Sequence, residues 1–304
     1  MAVETCGLTK RYGDHLAVDN VSMRVPERAI YGFLGRNGAG KSTTLRLLMG
    51  LMRPDAGTVQ IAGVDVARDR VRASRNFGAL LEAHGFYGHL SGRENLELSR
   101  RLLDLPATEV PRVLDVTEMT AHSKKRVSDY SLGMRQRLGL ARAMLGSPAV
   151  LILDEPTNGL DAEGIEDMRR FVRELPDRSG STVLISSHQL DEIDRVATHV
   201  GILCQGRLVV EGSVEDLKEG SSAEVVVETA SPARAIAIAR EHGFDVMPEG
   251  DVLVARFKAH EDLRSATSAL NHLLCTDGEI RVHALVPRER SLGAIYRNAP
   301  SVTN

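Results

Sequence analysis

The chain has 304 residues, enough for two domains, and a hydrophobic content of 42% that supports sizeable cores. Its formal net charge of -3 argues against nonspecific nucleic-acid binding as the main task, and no nucleic-acid partner is expected. Cys6, Cys204 and Cys275 are too few and scattered for a disulfide scaffold or a four-ligand zinc site, and no apolar stretch approaches the roughly 20 residues that cross a bilayer. The cysteines read as buried or incidental thiols, and with no signal-peptide core after Met1 the chain is expected to be soluble.

Residues 1 to about 82 read as strands interrupted by one glycine-rich turn and its helix. Ile30 to Leu34 is an apolar strand, and Thr43 to Leu51 continues as a helix with Leu45, Leu48 and Met52 on its inner side. Between them, Gly35–Arg36–Asn37–Gly38–Ala39–Gly40–Lys41–Ser42 matches the phosphate-binding pattern G-x-x-x-x-G-K-[ST]. Val59 to Ile61 is a short strand turning through Gly63, and Phe77 to Leu81 is another that leaves Glu82 at its end. Residues 83 to about 146 are mostly helical, with helices expected over Arg93–Leu103, Ala107–Met119 and, after a Ser131 cap, Leu132–Leu145.

A strand at Val150–Leu153 precedes a helix near 162 to 175, a strand at Thr182–Ser186 and a helix at Leu190–Ala197. Val200–Cys204 and Leu208–Glu211 pair as a hairpin through Gly206. Lys218 to Ser222 is a linker candidate. Beyond it, strands at Glu224–Glu228, Phe244–Met247, Val252–Phe257 and Glu279–Leu285 and helices at Pro232–Glu241 and Glu261–Leu274 give a β-α-β-β-α-β order, the ferredoxin-like arrangement. Ser291–Arg297 adds a last helix. The expected division is therefore 1–217 and 221–304, and the tail holds no catalytic cluster.

The chemistry concentrates before the linker. Backbone N–H groups of the Gly35–Ser42 turn can close around phosphate oxygens, because glycines leave the approach open. Lys41 reaches the β- and γ-phosphates, Ser42 is a Mg²⁺ ligand, and the helix N-terminus starting near Thr43 favours negative charge. Val150 to Leu153 carries no charge until Asp154 and Glu155, as expected of a buried parallel strand with functional groups at its carboxyl end. Asp154 is placed to hold Mg²⁺, and Glu155, on the alternate face, to polarise an attacking water.

These elements resemble the ATP-binding subunits of ABC transporters over roughly residues 1 to 215. The glycine-rich turn is the family's Walker A motif, with Arg36 at the usual proline, so Gly35, Asn37, Gly38, Ala39, Gly40, Lys41, Ser42 and Thr43 are implied ATP contacts. Tyr12 falls where the family stacks an aromatic ring on adenine. Ser131–Leu132–Gly133–Met134–Arg135 occupies the signature motif, usually L-S-G-G-Q, and the resemblance implies that Ser131 and Gly133 face the nucleotide of an opposite subunit. Glu82 stands at the Q-loop glutamine and is implied near Mg²⁺ or the γ-phosphate; Asp161 closes the loop that communicates across a dimer. A lone histidine is more often structural, but the position of His188 resembles the switch histidine beside the γ-phosphate.

The resemblance implies an α/β P-loop ATPase core with a helical subdomain and a smaller C-terminal α+β domain. It further implies catalysis by Glu155, His188 and Lys41, with ATP and Mg²⁺ as cofactors. The working unit would be two copies head to tail, docked through a separate membrane-spanning permease on the cytoplasmic face of a cell membrane. Stretches such as Phe86–Tyr87–Gly88–His89–Leu90 look like ATPases of bacterial antibiotic, bacitracin or lantibiotic exporters. The alternatives are a soluble ABC ATPase that remodels a ribosome or other cytoplasmic complex, and an ATP-sensing scaffold.

Overall fold

The computed structural model describes residues 1–81, 85–220, 223–258, 262–288 and 291–298, so Glu82 lies outside the described residues. The chain divides into two compact units, Met1–Val214 and Glu215–Asn298.

The first unit is built on a six-stranded sheet in the order Arg207–Ser213, His199–Cys204, Ile30–Leu34, Thr182–Ser187, Val150–Asp154, Phe77–Leu80. All neighbours are parallel except the outermost Arg207–Ser213, which pairs antiparallel with His199–Cys204. Ile30–Leu34 and Thr182–Ser187 are buried along their whole length, which explains why neither shows polar alternation: both faces are covered. The register sets Leu34 beside Ser187 and Asp154 beside Ser186, so three strands finish together. Gly35, Glu155 and His188 leave the sheet at that shared carboxyl edge, where open α/β sheets bind ligands.

An antiparallel sheet sets Val3–Tyr12 between His15–Val21 and Ala56–Ile61. Its Val3, Leu8, Val18, Val59 and Ile61 pack with Phe33, Leu45 and Leu48 of the central sheet and first helix, anchoring the phosphate loop against a shared core. The tight turn at Gly13 brings His15 opposite Tyr12. The helical part comprises Gly92–Leu102, Glu109–Val116 and Leu132–Ala143. Ser91 and Glu94 form a reciprocal capping box at the first of these, and the Ser131 hydroxyl accepts the Met134 N–H at 3.3 Å at the last.

Helix Leu132–Ala143 lies so close to strand Phe77–Leu80 that a Cβ on Gly78 would sit 1.7 Å from the Ala143 carbonyl oxygen. The clash is with backbone, and no rotamer change relieves it. Gly78→Ala is expected to cost about 3 kcal/mol, the upper range for overpacking, and denaturant unfolding should show a lower midpoint at unchanged slope.

Several boundaries differ from the sequence reading. The helix expected to end near 175 runs over Ala162–Ser179, because Pro176 sits in the final turn, where few later residues depend on the ladder, and Gly180 at φ 72° ends it. Lys218 and Glu219 of the linker candidate belong to a helix, Val214–Glu219, whose acidic first turn and basic last turn suit the helix dipole. In the second unit, strands Asp245–Glu249 and Val282–Arg288 extend through Pro248 and Pro287. Both are edge strands of the order Asp245–Glu249, Val252–Phe257, Ala223–Thr229, Val282–Arg288, and an edge tolerates a missing N–H. Helices Pro232–Glu241 and Leu263–Thr276 contribute Ala235, Ala239, Leu270 and Leu274 to that unit's own core with Val225, Val227 and Leu253. Cys6 and Cys275 are exposed and Cys204 half-buried, and none of the three forms a disulfide among the described residues. No helix among the described residues is long and apolar enough to cross a membrane.

Candidate nucleotide site

The turn from Gly35 to Gly40 is held by its own backbone. Ala39 N donates to Arg36 O at 3.0 Å, and Gly206 N donates to Ala39 O at 3.0 Å. Gly40 has φ 104°, and a Cβ there would lie 2.3 Å from Ala17 O, so only glycine fits. Gly38 has φ 82° and open space where a Cβ would be. The helix Lys41–Leu48 begins from Gly40 with no side-chain cap, leaving its first N–H groups for an anion.

Lys41 is only 6% exposed. Its Nζ donates to Gly35 O at 2.7 Å and lies 3.7 Å from Glu155 Oε1. Burial pulls its pKa below the ordinary lysine value, while the charges of Glu155 and Asp154 oppose that shift. The three groups thus share one electrostatic environment, and added phosphate charge there favours the ammonium form.

Asp154 closes its strand, and its Oδ1 accepts the Ser186 hydroxyl at 2.5 Å. That hydroxyl accepts the Glu155 N–H at 3.0 Å, so Ser186 ties both carboxylate residues to the adjacent strand. Glu155 lies outside the strand, contrary to the expectation that strand alternation turns it away from Asp154. It adopts φ 49°, the left-handed region that a residue with a Cβ rarely enters, and this turn rather than the pleat sets its direction. The carboxylate meets His188: Glu155 Oε2 and His188 Nδ1 are 2.7 Å apart.

Tyr12, Asn37, Gly38, Gly40, Lys41, Ser42, Thr43, Glu155 and His188 line one open cavity of about 740 Å³. The Tyr12 ring is 45% exposed, with Lys10 Nζ 5.9 Å from its centroid and its hydroxyl on Met52 Sδ. Gly35 and Ala39 are buried beneath the loop. The donor set also fits a hard divalent cation: the exposed Ser42 hydroxyl and the Asp154 carboxylate belong to one edge, and oxygen ligands supplemented by phosphate and water suit Mg²⁺. No cluster of three or more His, Cys, Asp or Glu side chains that could hold a metal ion occurs among the described residues.

Ser131, Gly133 and Asp161 do not join that cavity. They line a second one of about 540 Å³ with Leu132, Gly159 and Arg137. Ser131 is exposed, and because its oxygen accepts from Met134, its own proton remains available to an incoming oxygen. Asp161 also caps the helix Ala162–Ser179, its Oδ1 accepting Gly164 N at 3.0 Å. The loop between the cavities is continuous: Asn158 lines the first and Gly159–Asp161 the second.

His15, Ala17 and Ser186 were not singled out in the sequence. His15 and Ala17 follow Tyr12 across a tight turn, a proximity visible only if Arg11–Tyr12–Gly13–Asp14 is read as a hairpin. Ser186 was legible only as the polar end of an apolar strand.

Residues 18–158 match the ABC transporter family. The chain is 40% identical over 245 residues to the bacitracin transport ATP-binding protein of Bacillus licheniformis, spanning 80% of each. It is 35% identical over 308 residues to a daunorubicin resistance ATP-binding protein of Streptomyces coeruleorubidus, spanning 97% of this chain and 94% of that one. The solved structure of an ATP-binding subunit of an ABC transporter superposes with a TM-score of 0.63 at 27% identity, covering 72% of this chain and 92% of that one. With relatives this similar over most of its length, and with a P-loop at the carboxyl edge of a parallel sheet, the chain belongs to the ATP-binding, ATP-hydrolysing subunits of ABC transporters.

Proposed function

We propose that this chain is the motor of a bacterial exporter of antibiotic or peptide-like toxic compounds, working as a head-to-tail pair of copies on a separate permease. One observation carries the pairing: the phosphate-loop cavity and the Ser131–Gly133 cavity are different cavities of the same unit. This arrangement favours a second copy as the source of the Ser131 hydroxyl that meets a phosphate held by Lys41. In this reading Tyr12 stacks on adenine, and the loop Gly35–Thr43 wraps the phosphates. Ser42 and Asp154 would hold Mg²⁺, which would neutralise charge on the phosphates. Glu155 takes the proton of the attacking water. His188, hydrogen-bonded to that carboxylate, fixes its orientation. Asp161 and the rest of the Asn158–Asp161 loop link one site to the other across the pair. Glu82 is assigned the γ-phosphate sensing position and lies outside the described residues.

The bacitracin relative's name supports an antibiotic substrate class. In this reading, attachment to the inner face of the membrane is made through the permease. Within residues 81–95 we assign the permease contact to Phe86, Tyr87 and Leu90: Phe86 is half-buried with the Arg142 guanidinium 4.5 Å from its ring centroid, Leu90 is half-buried, and Tyr87 is 58% exposed. Tyr87 is therefore the anchor assigned to a cytoplasmic helix of the permease. Residues 221–304, read as a ferredoxin-like accessory domain, tune assembly or turnover without supplying chemistry.

Affinity purification of the tagged chain from detergent-solubilised cells tests this reading. A multi-spanning membrane protein is expected as the stoichiometric partner, and its recovery should fall when Tyr87 becomes Ala. Ribosomal particles in its place would replace the transport reading with that of a soluble remodelling ATPase.

A further inference from the structure

Glu192 lies in the first turn of the helix Leu190–Val196, where a carboxylate ordinarily faces water and gains from the helix dipole. Here it is turned inward and is 4% exposed. No lysine, arginine or histidine forms an ion pair with it among the described residues. Its Oε2 accepts the Thr157 hydroxyl at 3.0 Å and the Ser187 hydroxyl at 2.9 Å. Its Oε1 is buried without a hydrogen-bond partner among the described residues. A buried carboxylate held by two neutral hydroxyls is a costly choice for packing alone, since a lost charge–solvent contact is only partly replaced.

The two hydroxyls identify what that cost maintains. Thr157 is two residues beyond Glu155, and Ser187 immediately precedes His188. Ser187 Oγ also accepts Gln189 N at 2.9 Å, so one short chain of bonds runs from the backbone after His188, through Ser187 and Glu192, to the segment after Glu155. The 2.7 Å contact between Glu155 and His188 depends on the relative placement of these two segments. Ser186 joins them on the near side, through Glu155 N and Asp154. Glu192 joins them on the far side.

We propose that Glu192 is a positioning residue for ATP hydrolysis: as a shared acceptor for Thr157 and Ser187, it clamps the Glu155 and His188 segments in register. This rests on the reading of Glu155 as the base. Because Ser186 remains as a second tie, losing the clamp misplaces the pair without dismantling it, and a displacement well under 1 Å corresponds to about a tenfold loss of rate. Glutamine at 192 keeps an acceptor oxygen for both hydroxyls, whereas alanine keeps none.

The test is steady-state phosphate release and equilibrium ATP binding by the full chain carrying Glu192→Ala, Glu192→Gln, Thr157→Val or Glu155→Gln. Glu192→Ala is expected to lower kcat about tenfold with ATP affinity within about threefold, and Glu192→Gln to recover most of that loss. Thr157→Val removes one donor at nearly constant volume and should lower kcat severalfold; combined with Glu192→Ala it should add little, as members of one clamp do. If Glu192→Ala does not fold, Thr157→Val and Glu192→Gln carry the test. Unchanged kcat in Thr157→Val, or equal parallel losses of kcat and ATP affinity in the Glu192 variants, would overturn the clamp. Parental turnover in Glu155→Gln would instead refute the base on which it rests.

Discussion

Glu155→Gln is expected to lower ATP turnover by about 10²-fold or more while leaving ATP affinity near the parental value. Glutamine occupies the same left-handed turn and can still hydrogen-bond to His188, 2.7 Å from the present carboxylate, so the geometry of the pair is retained. What is lost is the capacity to accept a proton. The binding contacts lie elsewhere, in the Gly35–Thr43 loop and Lys41, and removing a negative charge 3.7 Å from Lys41 Nζ leaves that ammonium freer for phosphate. An ATP-bound pair of chains should accumulate, visible as a doubled mass by size-exclusion chromatography with light scattering. Normal phosphate release by the purified variant would remove Glu155 from the role of base.

The converse expectation holds for Lys41→Ala, which should weaken ATP binding by about 10²-fold, the equivalent of about 3 kcal/mol for a buried charge-assisted contact. Two effects add. The variant loses the one lysine that lines the phosphate cavity among the described residues, and it loses the Nζ bond to Gly35 O at 2.7 Å that braces the loop from within. Isothermal titration with a slowly hydrolysed ATP analogue separates this from a turnover defect. An unchanged dissociation constant would show that backbone N–H groups alone hold the phosphates.

Much of the nucleotide site was legible because its chemistry is encoded locally. Gly38, Gly40, Lys41 and Ser42 sit in one uninterrupted turn, and Asp154 and Glu155 end an apolar run whose lack of alternation betrays a strand covered on both faces. Less visible were features set by neighbours distant in sequence. The direction of Glu155 comes from a positive φ, and the anchoring of its backbone comes from Ser186, 31 residues later. The clamp at Glu192 depends on three hydroxyl and carboxyl groups from separate elements, none of which belongs to a recognisable pattern. Strand ends were less legible beside proline: the sequence reading stops at Met247 and Leu285, whereas the strands run on through Pro248 and Pro287 because the sheet order places both on edges. The separation of Ser131 from Lys41 into two cavities is likewise a property of the folded unit, although the motifs themselves were readable.

The central claim is that one working site takes Lys41 from one copy and Ser131 from another, and mixing two inactive chains tests it most directly. Lys41→Ala disables the phosphate cavity, and Ser131→Arg fills the second cavity with a bulky side chain. In a two-fold head-to-tail pair, a mixed dimer holds one site with both defects and one site with neither. With random pairing half of the dimers are mixed, so an equimolar mixture should show about a quarter of parental ATP turnover, while each variant alone is inactive. A mixture as inactive as its components, or full turnover by Ser131→Arg alone, would contradict the shared site.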